Sequence, residues 1–205
     1  MTHDRWVREI KPVGRDRLEV ICEGDAPFVL YKKELLQYGI RENAVCSSDT
    51  YEAICNEVLR PRARNRCMYL IEKQDYTETQ IRQKLRSGLY PEEIIDETVE
   101  WLKSTRALDD RRYAETYIRS VRGRYSRQML AQKLRQRGIS KELTKELLSE
   151  DGGYSEYLPD EEKQIASILK KKNYDTQEAS PQEREKIRQM LLRKGFSVEQ
   201  IRKMT

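Results

Sequence analysis

Gly138-Ile139-Ser140-Lys141-Glu142 ends one amphipathic run and opens another, and the chain writes this phrase three times. The other copies are Gly88-Leu89-Tyr90-Pro91-Glu92 and Gly195-Phe196-Ser197-Val198-Glu199, with glycines 50 and 57 residues apart. Each follows a leucine three or four positions back: Leu85, Leu134 and Leu191. The phrase is a compact corner between two helices. Glycine supplies the left-handed stop, the next residue an apolar staple, and the residue after it a new N-cap. A period of this size implies a tandem architecture whose units bury a core by stacking on their neighbours. Such arrays, when they carry no catalytic constellation, present an extended surface to a large partner.

Working outward, four segments emerge. Residues 1–48 hold short β-favouring runs, Trp6–Ile10, Leu18–Cys22 and Phe28–Tyr31, separated by Pro/Gly/Asp turns. They read as an antiparallel meander of two or three strands that packs on the first helices, followed by a short helix over Lys32–Tyr38 closed at Gly39. Residues 49–107 form the first helical repeat. Asp49 or Thr50 caps a helix through Leu59, Pro61 breaks or kinks it, and the next helix covers Arg62–Gln74. Thr77-Glu78-Thr79-Gln80 is a capping box. At the first joint Gly88 takes the left-handed position with Leu89 as its apolar contact, Tyr90 caps, and Pro91 opens a helix carrying Ile94 to Leu102. Residues 108–153 form the second repeat, with helices starting at Asp109-Asp110, Ser126 and Ser140, and a stop at Gly123. Tyr154–Asp160 reads as a linker into the third repeat, 154–205, where Ser180-Pro181-Gln182-Glu183 is a second capping box. The fold class is mainly α: three tandem three-helix repeats, nine helices in all, forming an elongated crescent with a small N-terminal β meander.

Composition narrows the class. Charged residues make up 37% of the 205, equal to the hydrophobic share, where an average domain has about 25% charged. The formal net charge is +5, but its distribution matters more. Residues 1–50 carry eight bases and nine acids, whereas Arg111–Arg137 carries nine bases and the single acid Glu115. Acids do not alternate with bases through that run, which argues against a face of i,i+4 ion pairs and for a polyanion or acidic partner. Arg111, Arg119 and Arg122 share a helix face, Arg124 and Arg127 sit at the following turn, and Arg135 and Arg137 end the second helix. Tyr113 and Tyr117 have core spacing; Tyr125, in the loop, is placed to stack on a base.

No apolar run reaches the roughly 18 residues of a membrane span, and the charged N-terminus lacks a signal peptide's apolar core. Cys22, Cys46, Cys55 and Cys67 include no CxxC pair and His3 is the only histidine, so they read as reduced, partly buried thiols of a cytosolic protein, with no metal and no cofactor. Asp109-Asp110 reads as helix capping, since no third ligand lies nearby. No phosphate-binding glycine loop, HExxH or GxSxG is present, and nothing supports catalysis.

Leu108-Asp109-Asp110-Arg111-Arg112-Tyr113-Ala114, running through Tyr117-Ile118-Arg119-Ser120 to Leu134-Arg135-Gln136-Arg137-Gly138-Ile139, resembles the core signature of the RecX family of recombination regulators. The resemblance extends over residues 50–205. Arg122-Gly123-Arg124-Tyr125-Ser126 departs from the small Gly-Pro pair common at that turn in the family. The resemblance implies a non-enzymatic, cytoplasmic, monomeric protein without cofactors. Such a protein binds the RecA recombinase and its filament on single-stranded DNA, and limits filament growth, strand exchange and ATP hydrolysis in recombination, DNA repair and the SOS response. The contact residues expected are Arg111, Arg119, Arg122, Arg124, Tyr125, Arg127, Arg135 and Arg137. The rival reading is a general basic helical-repeat DNA-binding protein with no recombinase partner.

Overall fold

The structure, a computed structural model, describes residues 3–149, 153–158 and 160–205. The chain divides into two compact units, Met1–Asp109 and Asp110–Thr205.

The first unit opens with strands β1 (Arg5–Pro12), β2 (Arg17–Cys22) and β3 (Phe28–Tyr31), helix α1 (Lys32–Gln37) and strand β4 (Ala44–Cys46). The sheet is antiparallel with order β3-β2-β1-β4. It therefore has one strand more than the meander expected from sequence: β4 returns to the free edge of β1, pairing Trp6 with Val45 and Val7 with Ala44. Three residues are too few to show alternation, and the turn before them rests on Asn43 at φ 54°. Beyond β4, the Ile10 N–H of β1 donates to the Glu42 carboxylate (2.8 Å), so a side chain continues what the short strand leaves open. Val7, Val20, Phe28 and Leu30 face the helices in one continuous core with Ile54, Leu59, Ile81, Ile94 and Leu102. Each fully buried aliphatic side chain there contributes about 1.5–3 kcal/mol relative to exposure.

Helix α2 (Ser48–Ile54) is capped by Ser47, whose side chain accepts the Thr50 N–H, so the cap lies two or three residues before the expected Asp49 or Thr50. Of the break or kink expected at Pro61, the break does not occur. A π-turn over Cys55–Leu59 runs straight into α3 (Arg60–Lys73), with Leu59 and Arg60 both right-handed helical. Proline lacks an N–H, and its ring crowds the carbonyl four residues back. The wider turn, with the Arg60 N–H bonded to the Cys55 carbonyl, absorbs that defect without ending the rod. Helices α4 (Glu78–Arg86) and α5 (Glu92–Ser104) complete the unit, and the Thr77/Gln80 capping box is present.

The second unit holds α6 (Asp110–Val121), α7 (Arg127–Gln136), α8 (Lys141–Leu147), α9 (Glu161–Lys171), α10 (Pro181–Arg193) and α11 (Val198–Met204). It buries two separate small cores. One gathers Ile118, Leu130, Leu134, Ile139 and Leu147; the other gathers Ile165, Leu169, Leu191, Phe196 and Ile201. The segment expected to be a linker is packed: a short 3-10 turn, Ser155–Tyr157, lays Tyr154, Tyr157 and Leu158 on the first of these cores.

The joints are all one motif, but the first is out of step. In the other two, the N–H of Ile139 or Phe196 reaches back to the carbonyl of Leu134 or Leu191, and Gly138 (φ 90°) or Gly195 (φ 84°) is left-handed. This is the Schellman closure. In the first joint the same bond runs from Tyr90 to Leu85, so the left-handed residue is Leu89 (φ 55°) and the buried staple is Tyr90. Gly88 does not take the left-handed position, and Pro91, not Tyr90, is the N-cap of α5. The physical reason is the spacing: Leu85 precedes Gly88 by three residues, whereas Leu134 and Leu191 precede their glycines by four. Glycine is required at 88 for room, because a Cβ there would lie 2.9 Å from the Tyr90 ring.

Candidate functional site

Helix α6 starts at Asp110 and buries Ala114, Ile118 and Val121, which leaves Arg111, Arg119 and Arg122 on its outer side. Two of these three are compensated. Arg111 donates to Glu146 of α8 at 2.6 Å, and Glu115 lies 4.0 Å from Arg111 and 3.5 Å from Arg119, one turn away from each. The ion-pair reading set aside from sequence thus holds for Arg111 and Arg119, and the single acid of the run serves both. Arg119 also lies 5.7 Å from the Tyr154 ring, and Arg122 5.7 Å from the Tyr157 ring. The packed 154–158 segment gives both guanidinium groups an aromatic face.

The other candidates point elsewhere. Arg137 lies over Tyr117 at 4.1 Å and donates to the Lys133 carbonyl (3.1 Å). Burial raises the Tyr117 phenol pKa and the Arg137 charge opposes it, so the ring stays neutral beneath the cation. Tyr125 is half-buried, packed on the core with the Lys133 ammonium 4.7 Å from its centroid. Among the described residues no carboxylate lies within ion-pair distance of Arg122, Arg124, Arg127 or Arg135. The eight candidates therefore do not share one face: Arg111, Arg119 and Arg122 border the 154–158 segment and α8, while Arg124 and Tyr125 enter one groove, and Arg127 and Arg135 another.

Those grooves lie on either side of α7 where it meets the third repeat. The Ser126 hydroxyl, which caps α7 by accepting the Met129 N–H, donates to the Lys194 carbonyl (2.7 Å). Glu161 accepts the Arg127 N–H (2.6 Å), and Gln164 donates to the Gly123 carbonyl. A Cβ on Gly195 would lie 2.6 Å from the Ser126 oxygen, so this glycine is needed for both its φ and its closeness. The first groove, about 730 Å³, is lined by Arg124, Lys133, Lys163, Lys171, Arg193 and Lys194, with Tyr125, Ile168 and Phe196 as apolar floor and no acid. Among the described residues only Lys163 of these has a carboxylate partner, Asp160 at 2.9 Å. The second, about 860 Å³, sets Arg127, Arg135, Lys141 and Lys145 against Asp160, Glu161 and Glu162. A concave basic surface with low-dielectric walls concentrates the field on an incoming polyanion.

Lys163, Lys171, Arg193 and Lys194 are absent from the expected set. In sequence they are diluted by acids such as Glu161, Glu162, Glu183 and Glu185, and only the contact between repeats gathers them. The four cysteines are free and buried, and burial pushes the thiols of Cys22, Cys55 and Cys67 up to about 11. Among the described residues no group of three or more His, Cys, Asp or Glu could hold a metal ion, and no helix is long and apolar enough to cross a membrane.

Family models of the first, second and third three-helix domains of RecX match residues 63–102, 109–148 and 160–204 in order. The chain belongs to the RecX family. It is 27% identical to a regulatory protein RecX of Caldanaerobacter subterraneus subsp. tengcongensis over 96% of this chain and 95% of the relative. A regulatory protein RecX of Clostridium acetobutylicum is 28% identical, covering 94% and 90%. The fold is shared with a crystal structure of regulatory protein RecX (TM-score 0.60, 20% identity, 98% of both chains) and one of RecX from Lactobacillus salivarius (TM-score 0.55, 24% identity, 71% of this chain and 93% of that one). In this RecX protein the match to the second domain spans the arginine run, and that to the third spans the lysines facing it.

Proposed function

We propose that this protein is a non-enzymatic, cytoplasmic regulator of homologous recombination and DNA repair. Acting as a monomer, it binds RecA and the RecA filament on single-stranded DNA, and inhibits filament growth, strand exchange and ATP hydrolysis. The observation that carries the site is the acid-free groove between the second and third repeats: six cations over an apolar floor fit a phosphate backbone held on a protein surface. Contacts come from Arg124 and Tyr125 in this groove, and from Arg122, Arg127, Arg135 and Arg137 beside it on the second repeat. Lys171 and Arg193 add to them across the groove. Arg111 and Arg119, already paired with Glu115 and Glu146, contribute less. On repeat boundaries of 49–107, 108–153 and 154–205, this surface belongs to the last two repeats.

The test adds the protein to preformed RecA filaments and follows ATP hydrolysis, with naked single-stranded DNA as control. Inhibition well below DNA-saturating concentrations is expected, and the triple variant Arg124→Glu, Lys171→Glu, Arg193→Glu should lose it while keeping native helicity. Inhibition only at concentrations that coat the DNA, with a steep salt dependence and no need for RecA, would select the general DNA-binding reading instead. Full inhibition by a folded triple variant would remove the groove from the proposal.

A further inference from the structure

Around α3 the arginines of the first unit are matched with partners. Arg60 meets Glu97, Arg62 meets Glu34 and the Tyr31 ring, and Arg64 meets Trp101. Arg66, one turn beyond Arg62, is different. Its Nε is sealed from solvent and has no hydrogen-bond partner among the described residues. A charged donor buried without an acceptor is costly, and natural proteins rarely keep one without a use. Arg66 lines a cavity of about 130 Å³ that Arg17 and Arg62 also line, together with the Tyr31 and Tyr90 rings, and no carboxylate is among its lining residues.

We infer that this cavity is a binding site for a single phosphate group. The missing acceptor for the Arg66 Nε–H is an anionic oxygen, and guanidinium forks match phosphate geometry better than a lysine does. Charge sets the valence. Glu34 offsets Arg62, and Arg62 is further tied to the Val29 carbonyl (3.0 Å), which leaves exposed Arg17 at the mouth and half-buried Arg66 as two positive charges without a carboxylate partner among the described residues. Two charges suit a dianion. Size sets the rest. At about 30 Å³ per water molecule the cavity has room for roughly four, enough for a tetrahedral oxyanion but not for a nucleoside. The ligand is therefore inorganic phosphate, or a phosphate at a chain end or in a backbone whose remaining atoms stay outside.

The cavity also adjoins two of the first unit's departures from regular geometry. Leu59, at the end of the π-turn, and left-handed Leu89 are both in its wall, and Gly88 brings the Tyr90 ring in close. π-turns and left-handed non-glycine residues recur at functional sites; here Pro61 and the Leu85–Gly88 spacing produce them, and both shape the wall of this cavity. Tyr90 senses the guanidinium pair: burial raises its phenol pKa, while Arg62 and Arg66 pull it down. None of these residues belongs to the groove of the second unit, so the inference stands apart from the proposed recombinase contact.

The experiment uses the full chain, titrated with inorganic phosphate at ionic strength held constant with chloride, and reads arginine Nε–H signals by proton–nitrogen correlation. The signal missing from Arg66→Lys identifies Arg66. It should shift saturably with phosphate, and Arg66→Gln should raise the phosphate Kd at least tenfold with an unchanged circular dichroism spectrum. Should Arg66→Gln fold poorly, Arg17→Gln at the exposed mouth should still weaken binding severalfold. An Arg66 signal that phosphate does not move, or equal affinity in a folded Arg66→Gln, overturns the site. Oligothymidylates with and without a 5′-phosphate then identify the source. Arg66-dependent binding of the phosphorylated strand alone assigns a terminal phosphate, of both strands a backbone phosphate, and of neither a free phosphate.

Discussion

The first and second repeats share a plan, three helical rods joined by Schellman corners, yet they treat arginine in opposite ways. In the first repeat Arg60 grips Glu97 through two bonds (2.5 and 2.9 Å), Arg82 bridges Glu78 and Asp96 (2.8 and 2.5 Å), and Lys103 reaches Glu78 at 2.7 Å. There the charges tie α3, α4 and α5 together. In the second repeat Arg122, Arg124, Arg127 and Arg135 meet rings or grooves, and Glu115, the single acid between Arg111 and Arg137, is shared by two arginines. Neighbouring repeats of one architecture thus separate two uses of the same side chain, internal fastening and external contact.

Charge reversal should expose that division most strongly. The groove variant Arg124→Glu, Lys171→Glu, Arg193→Glu should lose on the order of a hundredfold in affinity for single-stranded oligonucleotide, at about 1 kcal/mol per contact, with its melting temperature little changed. The mirror experiment, Arg60→Glu with Arg82→Glu, should do the reverse. Fluorescence anisotropy should show affinity within about twofold of the parent, while urea unfolding shows a loss of about 1–3 kcal/mol as carboxylates face carboxylates. If the two variants behave alike, the division between repeats does not exist.

Next in size is the seam between the second and third repeats. Gly195→Ala meets both a positive φ and the Ser126 hydroxyl, so it should cost about 2–3 kcal/mol in thermal unfolding. Gly123→Ala, also at positive φ (63°) but with open space around it, should cost only about 1 kcal/mol. Equal losses would show that closeness at the seam is unimportant.

Smaller effects concern the first unit alone. Burial holds Cys22, Cys55 and Cys67 near 11, far above neutral pH, so native protein at pH 8 should take up iodoacetamide much more slowly than urea-unfolded protein, as read by intact mass. The bond from Arg60 holds the Glu97 carboxyl below the usual carboxylate range. A depressed folded pKa gives stability that is present above the unfolded value of about 4.3 and fades as pH falls through the folded one. Glu97→Gln should therefore flatten the acid limb of a stability–pH curve slightly and leave stability insensitive to pH at neutrality.

The corners around Gly138 and Gly195 were legible because Leu-x-x-x-Gly encodes the closure directly. The first corner was not, because Leu85 and Gly88 break that spacing and a tyrosine two residues on became the staple. Strand β4 was too short for periodicity to show, and Pro61 looked like a break because nothing in one-dimensional pattern reveals a π-turn. The Glu115 pairs were within reach of sequence, lying four residues from Arg111 and from Arg119, yet a count of charges over the whole run hid them. The groove was beyond reach. Lys171 and Arg193 stand 47 and 69 residues from Arg124 in the chain, and the contact between repeats, with its Ser126–Lys194, Arg127–Glu161 and Gln164–Gly123 bonds, brings them opposite.

Helix α5 begins just after Leu89 at φ 55° and ends just before Arg106 at φ 56°. An L-residue with a side chain gives up about 1–2 kcal/mol in that conformation, so the most deeply buried helix of the unit is pinned at both ends by backbone under load. The burial of Ile94, Ile95, Val99 and Leu102 is what keeps it closed. Local opening of α5 would release that load, and its amides should exchange with solvent sooner than their burial implies. A helix held this way behaves less like a strut than like a latch.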